Sequence, residues 1–185
     1  MTDAFSAIMQ QIKNHDKSPM IIAIDGRCAA GKTTLAELLK KEINCNIIHM
    51  DHFFLRQEQR TKERMQEPGG NVDYERVLRE VMLPLSKGQS FSYQIFDCKK
   101  QELTSVIQSE PNQVTIVEGS YSCHPALWDF YDLRVFLSVE PEEQLKRICC
   151  RNGEAAVKRF RDCWIPLEEK YFTAYQIQKR CDFIF

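Results

Sequence analysis

The sequence predicts an α/β fold of three layers, in which helices cover both faces of a mostly parallel sheet. The continuous apolar run at residues 20–24 is typical of a strand that is buried on both faces, and residues 114–117 and 133–137 are the next strong strand candidates. Between and after these runs, apolar residues recur at helical spacing, as in residues 32–41 and 141–151. Strands that alternate with helices indicate parallel pairing, because parallel strands need a long crossover connection.

The remaining elements are predicted from the same patterns. An amphipathic helix is expected at residues 3–14, a second strand at 47–50 and a helix at 74–83, while the polar residues 56–71 are expected to form a loop. Residues 91–96 and 103–107 are predicted to pair as a small β-hairpin. A last helix is predicted at 154–178, interrupted by Pro166, and a last strand at 182–185. We expect residues 1–185 to form a single domain.

Composition limits the classes of function. The chain has 185 residues, 43% of them hydrophobic, with 25 basic and 26 acidic residues and a net charge of −1, so nucleic-acid binding is not expected as its main role. It lacks an apolar run long enough for a membrane span and an apolar core of a signal peptide, so we expect a cytoplasmic protein. Its eight cysteines form no C-x-x-C pair, which favours reduced thiols over a zinc site.

A phosphate-binding loop is predicted between the first strand and the helix that follows it. Residues 26–33 read G-R-C-A-A-G-K-T and match G-x-x-x-x-G-K-[ST]. The glycines let backbone N–H groups turn inward, and the helix N-terminus adds its positive dipole end. We expect Lys32 to reach the terminal phosphates and the Thr33 hydroxyl to bind Mg²⁺. The expected nucleotide-binding residues are Gly26, Arg27, Cys28, Ala29, Ala30, Gly31, Lys32, Thr33 and Thr34.

Two acidic residues favour phosphoryl transfer over other uses of a nucleotide. The sequence has no D-x-x-G and N-K-x-D pair of a GTP switch, and no acidic pair after a strand as in motor ATPases. Instead, Asp51 and Glu118 each follow a predicted strand, at the end of the sheet where ligands of parallel α/β proteins bind. One carboxylate can hold a metal and the other can activate an attacking hydroxyl. The alternative is that either acid is simply solvated in a loop.

With these residues in place, the chain resembles the uridine kinase family of P-loop nucleoside kinases, within the wider group of phosphoribulokinase and pantothenate kinase. The similarity runs over residues 21–172. Besides the phosphate loop, it includes Asp51-His-Phe-Phe54, Asn71-Val-Asp73, Val117-Glu-Gly119, and a lid-like region with Arg147 and Arg151. The resemblance implies a P-loop NTPase fold with a small hairpin and a short helical lid.

The resemblance also implies roles for individual residues. Asp51 is similar to the family's catalytic base, and Thr33 and Glu118 to its magnesium pair. Asp73 resembles the carboxylate that binds the ribose hydroxyls, and Tyr93 the aromatic residue that lines the base pocket. Lys32, Arg147 and Arg151 resemble the cations that act on the transferring phosphate.

The chain departs from the family pattern around the base pocket. His52 and Phe54 stand where the family has Ser and Tyr, Val72 where it has an aromatic residue, and Cys98 where it often has His. Tyr93 could equally be a cross-strand packing partner. Of the other aromatic residues, Trp164 and Phe172 are predicted to pack in the core.

These patterns together predict an ATP-dependent kinase with Mg²⁺ as cofactor and a small-molecule substrate, a uridine- or cytidine-like nucleoside phosphorylated on its 5′-hydroxyl. Two alternatives remain open. One is a kinase of the same fold that acts on pantothenate or a sugar phosphate, which extra arginines in the acceptor pocket would favour. The other is a nucleotide-binding regulator that transfers nothing. Neither a nucleic acid nor a membrane is expected as a partner, and self-association is left open.

Overall fold

The computed structural model describes residues 1–16 and 18–185, and it has the predicted α/β architecture. The strands are β1 (Met20–Gly26), β2 (Cys45–His49), β3 (Phe91–Asp97), β4 (Glu102–Ser109), β5 (Val114–Glu118), β6 (Leu133–Leu137) and β7 (Phe183–Ile184). The helices are α1 (Thr2–Lys13), α2 (Lys32–Glu42), α3 (Lys62–Gln66), α4 (Tyr74–Val77), α5 (Leu83–Leu85), α6 (Pro141–Asn152), α7 (Glu154–Arg159), α8 (Ile165–Tyr175) and α9 (Ile177–Arg180).

The main sheet has five parallel strands in the order β2-β5-β1-β6-β7. In the register of the three strands on one side, Glu118 at the end of β5 lies opposite Ile24 of β1 and opposite His49 of β2. The chain therefore leaves β1, β2 and β5 at the same edge of the sheet. Strands β3 and β4 form the separate antiparallel hairpin that the sequence predicts.

Two apolar clusters lie on opposite faces of the sheet and confirm the three layers. On β1, the side chains of Ile22 and Ile24 belong to one cluster, together with residues of α1 and α2. The side chains of Ile21 and Ala23 belong to the other, together with residues of α4 and α8. This alternation follows from the two-residue period of a strand, which directs successive side chains to opposite faces.

The helical segments differ from the prediction in three places. The predicted last helix does not continue to residue 178, because the left-handed backbone of Gln176 (φ +53°) separates α8 from α9. The predicted loop at residues 56–71 contains helix α3, which Thr61 caps by accepting a hydrogen bond from the backbone N–H of Arg64. Pro166 does not break the last helix, because a π-helical turn at Phe160–Trp164 precedes it and the backbone at Trp164 and Ile165 stays helical. Among the described residues, no helix is both long enough and apolar enough to cross a membrane.

Candidate active site

The phosphate loop joins β1 to α2 as the sequence predicts. Gly26 has φ +133°, and a Cβ there would lie 2.0 Å from the carbonyl oxygen of Leu137, so only glycine fits between the adjacent strands. Lys32 is buried, and its Nζ donates to the carbonyl oxygens of Gly26 at 2.7 Å and Arg27 at 2.8 Å. The loop thus holds its lysine inside the turn that the phosphates would enter.

A hydroxyl and a carboxylate meet beside this loop. Thr33, in the first turn of α2, donates from Oγ1 to Oε1 of Glu118 at 3.0 Å. The same Glu118 oxygen lies 2.6 Å from Nδ1 of His49, and this hydrogen bond raises the pKa of the His49 imidazole above its ordinary value. The oxygen atoms of Thr33 and Glu118 are the type of ligand that Mg²⁺ prefers.

Asp51 follows β2 in a 3₁₀ turn, Met50–Phe53, which turns it toward the same end of the sheet. Solvent reaches its side chain from the cleft, although protein surrounds it on most sides. This burial, followed by the charge of Glu118, raises the pKa of the Asp51 carboxyl, while Lys32 and Arg151 oppose the rise. A carboxylate with a raised pKa is a stronger base, which suits proton removal from a hydroxyl.

These residues line one cleft of about 900 Å³, within the size range of small-molecule sites. Lys32, Thr33, Asp51 and Glu118 all contribute to its wall, as do Cys28, Ala29, Gly31 and Thr34 of the loop. Gly26, Arg27 and Ala30 do not. The Arg27 side chain points away from the cleft, toward Glu169 and Ser138, to which it donates hydrogen bonds of 2.7 and 2.8 Å.

The lid arginines reach the same cleft from α6. Arg147 donates to the carbonyl oxygen of Ala29 at 3.2 Å and to Glu143 at 2.8 Å, and Arg151 lines the wall beside it. A third arginine, Arg159 on α7, joins them and lies over the ring of Trp164, 5.2 Å from its centroid. All three side chains are exposed, and guanidinium groups form paired hydrogen bonds with phosphate oxygens.

Asp73 does not lie in the cleft. Its carboxylate caps α4 by accepting from the backbone N–H of Arg76 at 3.0 Å, and it accepts from Nε2 of Gln59 at 2.7 Å. Asp73 lines a separate surface cavity, to which Leu55 and Arg76 also contribute. For Asp73 to contact a ribose in the cleft, its side chain would have to leave the Arg76 amide and the Gln59 side chain.

Tyr93 is also outside the cleft wall. It is 3% exposed and packs in the core with its ring centroid 4.9 Å from that of Phe53. Its hydroxyl lies 3.4 Å from Nδ1 of His52, and burial raises the pKa of Tyr93 to about 12. In this structure Tyr93 is therefore a packing residue of the core and does not line the cleft.

Much of the remaining wall of the cleft consists of residues that sequence reasoning did not assign to the site. Trp164, expected in the core, is one of them, whereas Phe172 does pack in the core. Phe160, Trp164 and Glu168 are spaced four residues apart along one helix. This spacing is the signal that could have placed them on the same helix face. The unassigned residues of the wall are Phe54, Arg60, Met65, Asn71, Cys98, Gln101, Gly119, Ser120, Tyr121, Asn152, Arg159, Phe160, Trp164 and Glu168.

A buried carboxylate behind the loop was also missed, although an acid that ends an apolar strand is unusual. Asp25 is fully buried and accepts from the backbone N–H groups of Gly26, Tyr121 and Cys123 at 2.7, 3.1 and 2.8 Å. The Tyr171 hydroxyl donates to it at 2.8 Å. Burial raises the pKa of Asp25 to about 6, against the effect of these hydrogen bonds. Asp25 thereby joins the phosphate loop, the turn after β5 and helix α8.

Comparison with known proteins gives several nucleoside kinases as relatives, while no family model matches the chain. It is 26% identical over 153 residues to a uridine kinase of Latilactobacillus sakei, covering 79% of this chain and 72% of that protein. It is 31% identical over 140 residues to human nicotinamide riboside kinase 2, covering 72% of this chain and 58% of that protein. A uridine kinase of Ureaplasma parvum is 23% identical over 172 residues, covering 84% and 83%.

Solved structures agree with the fold. A protein described as a possible uridine kinase from Bacillus stearothermophilus has a TM-score of 0.74 at 18% identity, covering all of this chain and 98% of that one. D-glycerate 3-kinase from Cryptococcus neoformans has a TM-score of 0.63 at 16% identity, covering 91% and 87%. Both structures thus share this arrangement of strands and helices.

Proposed function

We propose that the chain is a uridine kinase-like P-loop kinase, which transfers the γ-phosphoryl group of ATP to the 5′-hydroxyl of a nucleoside. One observation carries the proposal. Lys32, Thr33, Asp51 and Glu118 line a single cleft, at the edge where β1, β2 and β5 end. Uridine and cytidine are the first acceptors to test, and the likeness to nicotinamide riboside kinase 2 adds nicotinamide riboside.

The phosphates of ATP bind at the amides of the loop, with Lys32 beside the terminal ones. Asp51 accepts the proton of the acceptor hydroxyl as its oxygen attacks the γ-phosphorus. Arg147 and Arg151 approach from α6 and stabilise the charge that spreads over the transferring group. The aromatic side chains Phe160 and Trp164 give the far wall an apolar surface against which a flat base can pack.

Mg²⁺ fits the site through Thr33 and Glu118, whose oxygens already lie within one hydrogen bond of each other. When bound, the ion neutralises charge on the phosphates. Within residues 1–16 and 18–185, no cluster of three or more His, Cys, Asp or Glu side chains could hold a metal by itself. The remaining ligands would be phosphate oxygens and water, as is usual for Mg²⁺.

An ADP-release assay with Mg²⁺ and ATP tests the proposal directly. The acceptors are uridine, cytidine, nicotinamide riboside, pantothenate and sugar phosphates, each product being identified by mass. We expect ADP with at least one nucleoside, and none with the matched 5′-deoxynucleoside, which lacks the attacked hydroxyl. ADP formed only with other alcohols would contradict the proposal, and ATP binding without transfer to any acceptor would favour a regulator.

An anionic alcohol is a second candidate because of Arg60. This arginine lines the cleft away from the phosphate loop, and its Nε donates to the carbonyl oxygen of Leu55 at 3.0 Å. That bond orients the guanidinium while leaving its terminal nitrogens for a ligand. If the acceptor is anionic, Arg60→Met will raise its KM at least tenfold. If it is a neutral nucleoside, the change in KM will be much smaller.

A further inference from the structure

One helical face runs from the lid to the phosphate loop. The backbone stays helical from Glu154 to Tyr175, through α7, the π-helical turn and α8. Phe160, Trp164 and Glu168 follow one another at four-residue spacing, and all three line the cleft. The residues that would contact the acceptor and Glu168 therefore belong to one continuous element.

Glu168 is the point where this face meets the loop. It is 5% exposed, and its Oε2 accepts from the backbone N–H of Cys28 at 3.0 Å. Its Oε1 accepts from the Ser120 hydroxyl at 2.6 Å, and the Ser120 oxygen in turn lies 3.3 Å from Nζ of Lys32. A chain of hydrogen bonds thus leads from the phosphate-binding lysine to the acceptor wall.

The neighbours of Glu168 on α8 strengthen the same attachment. Glu169 accepts two hydrogen bonds from Arg27, at 2.7 and 3.2 Å, and the Tyr171 hydroxyl donates to Asp25 at 2.8 Å. Three residues of one helix therefore hold the short segment that begins the phosphate loop.

The charge of Glu168 indicates that ATP affinity is not its purpose. A carboxylate on the wall that will hold a triphosphate repels the triphosphate, most strongly where protein lowers the local dielectric. A group that only supported ATP binding would serve better as a neutral amide. An acid at this position instead accepts from the Cys28 amide with one oxygen and from the Ser120 hydroxyl with the other.

We propose that Glu168 is a positioning residue, which fixes the Phe160–Trp164 face relative to the transferring phosphate through the Cys28 amide and the Ser120 hydroxyl. The proposal rests on the proposed function, because it places the acceptor against this face. A Gln at position 168 can accept from the Cys28 amide with its oxygen, but its NH2 group can only donate, so the bond with Ser120 is reversed or lost and the negative charge is removed. Misplacement by about 1 Å costs transfer on the order of 10²-fold.

The test compares Glu168→Gln with the wild type for two quantities, ATP affinity and kcat/KM for the acceptor. We expect kcat/KM to fall at least tenfold while ATP binds equally well or more tightly, because one repulsive charge is gone. The exposed Glu42→Gln on α2 is the matched control, and it should change neither quantity. An unchanged kcat/KM, or an ATP affinity that falls by as large a factor as kcat/KM, would overturn the proposal.

A double-mutant cycle keeps the test valid if Glu168→Gln is poorly folded. Glu168→Asp retains the charge on a shorter side chain, and Ser120→Ala removes only the bridging hydroxyl. If both act through one chain of hydrogen bonds, the double variant will lose less kcat/KM than the product of the two single losses. Losses that simply multiply would show that Glu168 and Ser120 act independently.

A second readout needs no acceptor. In a Trp128→Phe background, Trp164 is the sole tryptophan, since the chain has two. ATP places negative charge beside Glu168, so we expect a change in Trp164 emission that is at least halved when Glu168→Gln is added. An equal change in both proteins would overturn the proposal. If no nucleoside is phosphorylated but the emission depends on Glu168, the proposed function fails, and only the link from the phosphate loop through Glu168 to the Trp164 face stands.

Discussion

At the scale of single residues, Asp51 is the group whose removal should separate binding from chemistry. Asp51→Asn keeps the size of the side chain but cannot take a proton, so we expect transfer to fall about 10²- to 10⁴-fold. ATP affinity should stay within a few-fold, because the loop amides and Lys32 are unchanged. Steady-state kinetics and ATP titration measure the two effects, and unchanged turnover would remove Asp51 as the base.

Asp25 gives a pH dependence of stability with a defined sign. Its pKa is raised to about 6 in the folded protein from an ordinary value of 3.8, so the folded state binds this proton more tightly. Between these two pH values the folded state holds more protons than the unfolded one, and the free energy of unfolding falls as pH rises. The titratable neighbours of Asp25 include Lys32 and Tyr171. Burial raises the pKa of the Tyr171 hydroxyl well above its ordinary value, so this group stays protonated over the pH range of the test.

The difference between wild type and Asp25→Asn isolates this contribution from other carboxylates. From pH 5 to pH 7, we expect the wild type to lose about 1 kcal/mol of unfolding free energy relative to the variant. Urea unfolding at both pH values measures it. A difference that is constant, or that grows in favour of the wild type as pH rises, would contradict the raised pKa.

Cys28 lies in the phosphate loop but should be chemically inert. Burial, followed by the charge of Glu168, raises the pKa of its thiol to about 12. Because the thiolate is the reactive form, we expect Cys28 to resist iodoacetamide at neutral pH while the exposed Cys150 and Cys163 react. Peptide mass mapping gives the extent of labelling, and labelling of Cys28 as fast as Cys163 would be the contrary result.

At the scale of elements, Arg76 holds the hairpin against the turn that carries Asp51. Its guanidinium, on α4, donates to the carbonyl oxygens of Gln94 in β3 and His52, each at 2.5 Å, and lies 4.4 Å from the Phe53 ring centroid. The side chain is 5% exposed. One buried cation thus joins three segments that are distant in the sequence.

Arg76→Met should destabilise the protein by about 3–5 kcal/mol, because it leaves the carbonyl groups of Gln94 and His52 and nearby acids without their donor. Arg79→Met on the adjoining turn is the matched control, since Arg79 is 68% exposed, and it should change stability by less than about 0.5 kcal/mol. Urea denaturation compares the two. Equal effects would mean that the Arg76 contacts contribute little.

At the scale of the whole molecule, ATP should stabilise the fold through the loop that joins β1 to α2. ATP at about 100 times its Kd adds about 2.7 kcal/mol, which raises Tm by about 5–10 °C for a chain of this size. Lys32→Met should remove most of this shift, because its ammonium faces the phosphates. A thermal unfolding scan with and without ATP measures it, and an equal shift in the variant would place ATP elsewhere.

Much of the fold could be predicted because its evidence is local. The apolar runs that became β1, β5 and β6 and the helical spacing of α2 and α6 depend only on neighbouring residues. Helix α3 was missed because a single short helix with few apolar residues has no periodicity to detect, although Thr61 was available as its cap. The helix interruption predicted at Pro166 was wrong, because the π-helical turn before this residue cannot be recognised from composition.

The sequence by itself determined the G-x-x-x-x-G-K-T turn between β1 and α2, the strand that precedes Asp51 and the strand that ends at Glu118, and therefore a cleft lined by Lys32 and Thr33. Each of these follows from a short motif or from the rule that parallel strands present their carboxyl ends at one edge. Only the tertiary structure decided which side chains complete the cleft. Asp73 and Tyr93 are occupied by bonds and packing outside it, and Glu168, far along the chain, contacts Cys28 because helix α8 packs across the sheet. Such contacts depend on how whole elements pack, and no local pattern records that.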